Sequence, residues 1–255
     1  MAEVPEPPAA SEIDRLVTLL EPLRKVVRPE VFFVDRVPEE GALLVGNHTV
    51  YGLLDLPFMM AELWKRRGIW PRGLGEHAHY RVPGWRDLLE RGGMVRGTRE
   101  NCAELLSRGE NVLVFPGGAR EVNKRKGEKY TLIWKERVGF ARLAVKQGSE
   151  IVPFAGVGGE EMLDVVIDAD NPLLGPIYKA VEKTLGLPLP PVVRGIGLTP
   201  IPRPQRLYFW FGDPISTSPW AGRHEDKGAL REVRDEVKAA VEGGIELLLE
   251  RREED

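Results

Sequence analysis

The sequence predicts an α/β fold: one layered domain with a mainly parallel central sheet flanked by helices. Three observations carry this. Apolar runs at Ala42–Val45, Val112–Phe115 and Ile151–Ala155 are short and almost uninterrupted, as in strands buried on both faces. The stretches between several of them repeat apolar residues at helical spacing, so strands and helices alternate. With 255 residues, the chain is within reach of a single large core.

Residues 1–11 are rich in Pro, Ala and Glu and read as a disordered tail. They lack the basic and apolar regions of a signal peptide. Residues 12–255 form the expected domain. Ile13–Val27 has the apolar spacing of an amphipathic helix, packed on the core in one reading and interfacial on a membrane in the other. Val31–Val34 and Ala42–Val45 read as strands joined by an acidic turn. Pro57 suits a first helical position, and Gly68 suits the stop of that helix after Arg67. A short strand within Ile69–Leu74 and a helix over Trp85–Arg91 follow. Thr98 or Asn101 is placed to cap a helix reaching Ser107.

Beyond the Val112–Phe115 strand, Glu136–Gln147 reads as a helix stopped by Gly148, and Ile151–Ala155 as a strand. Residues 171–204 differ in kind. They are rich in Leu, Pro and Gly, with one helix near Leu173–Leu185 and an otherwise irregular apolar course. That excursion either covers the core, or docks on lipid or lines an acyl groove. Leu207–Phe211 is a late strand. Asp226–Arg252 is a charged helix with an apolar stripe of Leu230, Val233, Val237, Val241, Ile245 and Leu248.

Composition narrows the function. The net charge of −3 offers no basic field for nucleic acid. The one cysteine, Cys102, permits no internal disulfide and fits a reducing compartment. No run of roughly 18 apolar residues is present, so any membrane contact is expected to be peripheral.

The chemistry concentrates at two loops. The run Leu43-Leu44-Val45-Gly46-Asn47 delivers His48 to a strand end, and Asp55 follows seven residues later. A histidine steadied by a carboxylate can act as general base, and needs no enzymic nucleophile when the substrate brings a hydroxyl. A structural turn histidine is the plain alternative. The second loop, Phe115-Pro116-Gly117-Gly118-Ala119-Arg120-Glu121, again runs from strand to glycine turn to charge. No serine lies in a Gly-x-Ser-x-Gly elbow, no Walker loop is present, and Gly156-Val157-Gly158-Gly159 lacks dinucleotide spacing. His77 and His79 have no further Cys/His cluster beside them, so no metal site is expected.

Together, Asn47-His48 with Asp55, the Phe115–Glu121 run and Ile151-Val152-Pro153-Phe154 resemble motifs I, III and IV of the glycerolipid (lysophospholipid) acyltransferase superfamily. The likeness is greatest to its diacylglycerol-acyltransferase-like branch, which includes the acyltransferase domain of plant phytyl ester synthases. Arg125-Lys126-Gly127-Glu128, Gly139–Ala144 and Phe211-Gly212-Asp213-Pro214-Ile215 extend it over roughly Val31 to Leu249.

The resemblance implies a glycerol-phosphate-acyltransferase-like fold. It also implies transfer of a fatty acyl group from acyl-CoA or acyl carrier protein to a lipid hydroxyl, with acyl-CoA as co-substrate and no cofactor. His48 would be the base and Asp55 its orienting carboxylate. Backbone N–H groups at Gly117 and Gly118 are candidates for the oxyanion. Arg96, Arg120 and Glu121 would bind the acceptor, although a structural ion pair is the alternative for each arginine. A cytoplasmic protein touching the membrane peripherally is the corresponding expectation.

Two departures stand out. Six residues separate His48 from Asp55 where the family commonly has four, so Asp55 either reaches His48 through a bulged loop or serves as a helix-start residue. Gly117 replaces the usual motif III glutamate, which fits a neutral-lipid acceptor. Two other functions compete: a hydrolase in which the same base activates water, and a non-catalytic lipid-binding protein.

Overall fold

A computed structural model describes residues 4–49, 54–77, 79–81, 84–185 and 189–255. Three stretches discussed above lie partly outside these: the start of the tail, the His48–Asp55 loop (50–53) and the apolar excursion (186–188). In chain order the elements are α1 (Ala10–Val27), β1 (Glu30–Phe32), β2 (Leu43–Gly46), α2 (Leu56–Arg67), β3 (Arg72–Gly75), α3 (Trp85–Arg91), β4 (Val95–Arg96), α4 (Arg99–Ser107), β5 (Val112–Val114), α5 (Gly118–Val122), α6 (Gly139–Gln147), β6 (Ile151–Val157), β7 (Asp164–Ile167), α7 (Gly175–Leu185), β8 (Val192–Arg194), β9 (Tyr208–Phe211) and α8 (Lys227–Glu254).

Seven strands form one sheet in the order β1-β9-β6-β2-β5-β3-β4, parallel at every pairing except β6 with β9. The α/β architecture with a mainly parallel sheet is therefore present. The centre of the sheet is buried on both faces. Leu43, Val45, Val112, Ile151 and Ala155 point into a core shared with α4, α6 and α8. Leu44, Leu113, Val152 and Phe154 point into a second core with α2. This two-sided burial is why these strands read as continuous apolar runs rather than alternating ones. All six stripe residues of α8 are buried.

The helix signals act locally. Thr98 accepts the N–H of Asn101 at 3.0 Å and caps α4. Gly68 and Gly148 end α2 and α6 at φ +65 and +68, where a side chain is disfavoured. Strands successive in sequence need not pair. β1 and β2 are not neighbours: β1 pairs with β9, and both β9 and β6 stand between it and β2. Partner choice is set across the whole chain, so adjacency in sequence carried no information here. The excursion is also less irregular than expected, since β8 returns to pair antiparallel with β7.

Pro5, in the stretch read as a tail, gives its carbonyl to Arg72 at 2.9 Å. Arg72 is buried, and also donates to the Gly93 carbonyl and pairs with Glu110. Among the described residues, no helix is long and apolar enough to cross a membrane.

Candidate active site

The parallel strands β2, β5, β3, β4 and β6 bring their carboxyl ends to one edge, where open α/β sheets bind ligands. His48 lies two residues beyond β2 and Gly117 three beyond β5. The described start of the loop at His48, Asn47 to Thr49, is pinned residue by residue. Asn47 is buried, accepting the N–H of Gly156 at 2.8 Å and donating to its carbonyl at 2.9 Å. His48 donates its main-chain N–H to Oε1 of Glu121 at 3.0 Å. The His48 ring stacks on Phe115 with centroids 4.0 Å apart and planes inclined by 19°. Phe115 in turn meets the edge of Phe154.

The imidazole Nδ1 is buried and has no hydrogen-bond partner. Burial and, second, the positive charge of Lys124 hold its pKa well below 6.5. The ring is therefore neutral near pH 7, with a lone pair available to take a proton.

Asp55 is buried at the N-cap of α2. Its Oδ1 accepts from the Leu56 N–H at 2.9 Å and from Thr49 Oγ1 at 2.8 Å. Burial raises its pKa and the Thr49 hydroxyl opposes that rise. No hydrogen bond joins it to His48 Nδ1. Asp55 thus starts the helix and touches the His48 loop through the very next residue, Thr49.

The second loop turns at Gly117 and Gly118. Gly118 has φ +52 and donates its N–H to the Phe115 carbonyl at 3.0 Å. Of the two expected oxyanion donors, this one is already engaged in the turn. The Gly117 N–H has no partner among the described residues. Arg137 clasps the turn from outside, donating to the carbonyls of Pro116, at 2.7 Å, and Gly117. Glu121, expected among acceptor-binding groups, is fully buried and holds the His48 main chain instead. Burial pushes its pKa up to about 7 against the pull of Lys124.

Beneath the loops lies a buried ion pair, Lys124 with Glu160, both almost fully shielded. Glu160 also accepts the N–H of Tyr130 at 2.7 Å. Lys124 acts electrostatically on His48, Asp55, Glu121 and Glu160.

The two arginines stand apart from this cluster. Arg120 is held by Glu128 at 2.6 Å and by the Asn123 carbonyl at 3.2 Å. Arg96 is exposed at the end of β4, its guanidinium 5.8 Å from the Tyr80 ring centroid. It borders a cavity of about 310 Å³ with Tyr80, Glu90 and Pro5. Three strand spacings separate β4 from β2, roughly 14 Å along the same edge.

Sequence reasoning missed Lys124, Glu160 and Thr49. Lys124 belongs to no motif singled out in the sequence, and only its partner Glu160, 36 residues away, reveals its burial. Cys102 is buried in α4, and burial pushes its thiol up to about 12. His79 accepts from the Trp85 indole at 3.2 Å. Among the described residues, no three His, Cys, Asp or Glu side chains are grouped to hold a metal.

Comparison with known proteins gives a consistent picture. A family model described as "Acyltransferase" matches residues 25–157, just over half of the chain. The chain is 35% identical over 240 residues to phytyl ester synthase 1, chloroplastic, of Arabidopsis thaliana, covering 86% of this chain and 34% of that protein. It is 26% identical over 226 residues to a Mus musculus protein named DGAT1/2-independent enzyme synthesizing storage lipids, covering 85% of this chain and 59% of that one. The chain thus spans about a third of the plant relative's length. The crystal structure of the 1-acyl-sn-glycerophosphate acyltransferase PlsC from Thermotoga maritima shares the fold with a TM-score of 0.54 at 14% identity, covering 89% of this chain and 78% of that one.

Proposed function

The chain belongs to the acyltransferase family, and we propose that it moves a fatty acyl group from acyl-CoA or acyl carrier protein to a lipid hydroxyl, with His48 as general base. The observation that carries this reading is the His48 ring, stacked on Phe115 and held through its main chain at the carboxyl edge of the sheet. Among the described residues beside it no enzymic nucleophile offers itself: Cys102 is sealed in α4 and the Thr49 hydroxyl is bound to Asp55.

His48 takes the proton of the acceptor hydroxyl as its oxygen attacks the thioester carbonyl. The carbonyl oxygen becomes an oxyanion, for which the Gly117 N–H, without a partner among the described residues, is the donor. Collapse re-forms the carbonyl and expels the thiolate, which takes the proton back from the imidazolium. The products are an ester and a free thiol. Asp55 steadies the His48 loop from the start of α2, through Thr49.

Similarity to the phytyl ester synthases and the storage-lipid enzyme supports a neutral lipid alcohol as acceptor. Arg96 marks the acceptor side of the edge, whereas Arg120 braces the loop after α5 through Glu128. The protein works in the cytoplasm at a membrane surface, which the exposed apolar side chains of α7 and the β8 region meet.

The test incubates the purified protein with long-chain acyl-CoA and a panel of lysolipids, diacylglycerol and fatty alcohols, with products followed by mass spectrometry. A new ester is the expected outcome and identifies the acceptor. Free fatty acid alone, whichever alcohol is supplied, would replace this reading with a hydrolase.

A further inference from the structure

Adjacent glycines at 117 and 118 are glycines for different reasons. Gly118 sits at φ +52, in the left-handed region. Gly117 has φ −64 and ψ −30, which any residue adopts. Its reason is space: a Cβ there would lie 1.6 Å from Oε2 of Glu121 and 2.4 Å from the Glu121 Cβ. The Glu121 side chain folds back across the turn and fills the volume that Gly117 leaves empty.

What it does there is specific. Its carboxylate accepts the His48 N–H at 3.0 Å, and the Ile133 N–H also faces it. Asn47 fixes the preceding residue to β6. Two successive residues are therefore tied to different elements, Asn47 to β6 and His48 to α5, which sets how the imidazole lies on Phe115. Oε2 is buried without a partner. An ionisable group kept fully buried with one oxygen unmatched is costly and calls for a role. Lys124 supplies nearby positive charge.

We propose that Glu121 is the positioning residue of the His48 base, seated in the volume left by Gly117 and holding the main-chain N–H of His48. The proposal rests on His48 being the base.

Three variants test it: Glu121→Ala, Glu121→Gln and Gly117→Ala. The last leaves the carboxylate in the chain but displaces it. Two readouts are taken, kcat with KM for ester formation, and hydrogen exchange at the His48 amide. A reacting group misplaced by about 1 Å costs about 100-fold, so kcat falls by about that factor in Glu121→Ala and Gly117→Ala, while KM stays within about twofold. The His48 amide loses protection in both. Glu121→Gln keeps an acceptor oxygen, so it keeps that protection and most of the activity.

A folded Glu121→Ala or Gly117→Ala protein with wild-type kcat overturns the proposal. If Glu121→Ala does not fold, Gly117→Ala decides. If the wild-type protein makes no ester, the acyl-transfer reading fails, and positioning is judged by the amide alone. Protection in wild type and Glu121→Gln with loss in the alanine variants supports it; equal protection in all four proteins overturns it.

Discussion

The His48 loop and the 171–204 excursion treat their side chains in opposite ways. Around His48, the Asn47 amide, the Thr49 hydroxyl, the Asp55 carboxylate and one oxygen of Glu121 are all matched inside the fold. Across the excursion, apolar side chains stand in solvent: Leu173 is 85% exposed, Ile177 61% and Leu198 87%. Leu173, Ile177 and Val181 recur at intervals of four, so they share one side of α7 and its approach. These groups of the first region find their partners within the chain. On the reading proposed above, the second meets an apolar surface from outside. Mutations should therefore divide into those that harm the fold or the chemistry and those that harm only attachment.

The largest effect on stability is expected beneath His48. Lys124→Met leaves Glu160 buried without its partner and should destabilise the protein by about 3–5 kcal/mol, read as a lowered urea midpoint. Thr49→Val removes the hydroxyl bound to Asp55 and should cost about 1.5–3 kcal/mol by the same measurement, with a loss of activity from the loosened loop.

A pH comparison is subtler. The Glu121 carboxyl has its pKa raised to about 7, so between its ordinary 4.5 and about 7 the folded state holds a proton that the unfolded state has released. That contribution is present at low pH and lost as pH rises through about 7. Glu121→Gln removes it, so its stability relative to wild type should rise between pH 4.5 and pH 7. Parallel pH profiles for the two proteins would contradict this. The smallest effect on the fold is expected at α7. Ile177→Asp should change stability by no more than about 0.5 kcal/mol, yet reduce binding to lipid vesicles in a sedimentation assay. Unchanged vesicle binding would remove α7 from the docking surface.

The division between regions also bears on what a sequence discloses. The strand carrying His48, the cap at Thr98 and the helix stops at Gly68 and Gly148 were legible because each depends on a few adjacent residues. The partners of His48 were not. Glu121 lies 73 residues from it, and its carboxylate reaches the loop only because Gly117 leaves room. Asp55 read either as the carboxylate orienting His48 or as a helix-start residue, and its link to Thr49 needed the folded loop. Lys124 drew no attention in the sequence, and its burial shows only through its pairing with Glu160. The β7–β8 pairing was hidden for the same reason, since Asp164 and Arg194 meet across 30 residues of unrelated chain. Apolar pattern located the edge of the sheet; long-range contacts decided which groups meet there.

The most direct test of the central claim compares wild-type protein with His48→Ala for ester formation from acyl-CoA and the best acceptor. The His48 side chain makes a ring stack but no hydrogen bond at Nδ1, so the variant should fold and keep its urea midpoint nearly unchanged. Loss of a general base predicts a fall in kcat of about 100- to 10,000-fold. A folded His48→Ala protein that still makes the ester at the wild-type rate would contradict the account.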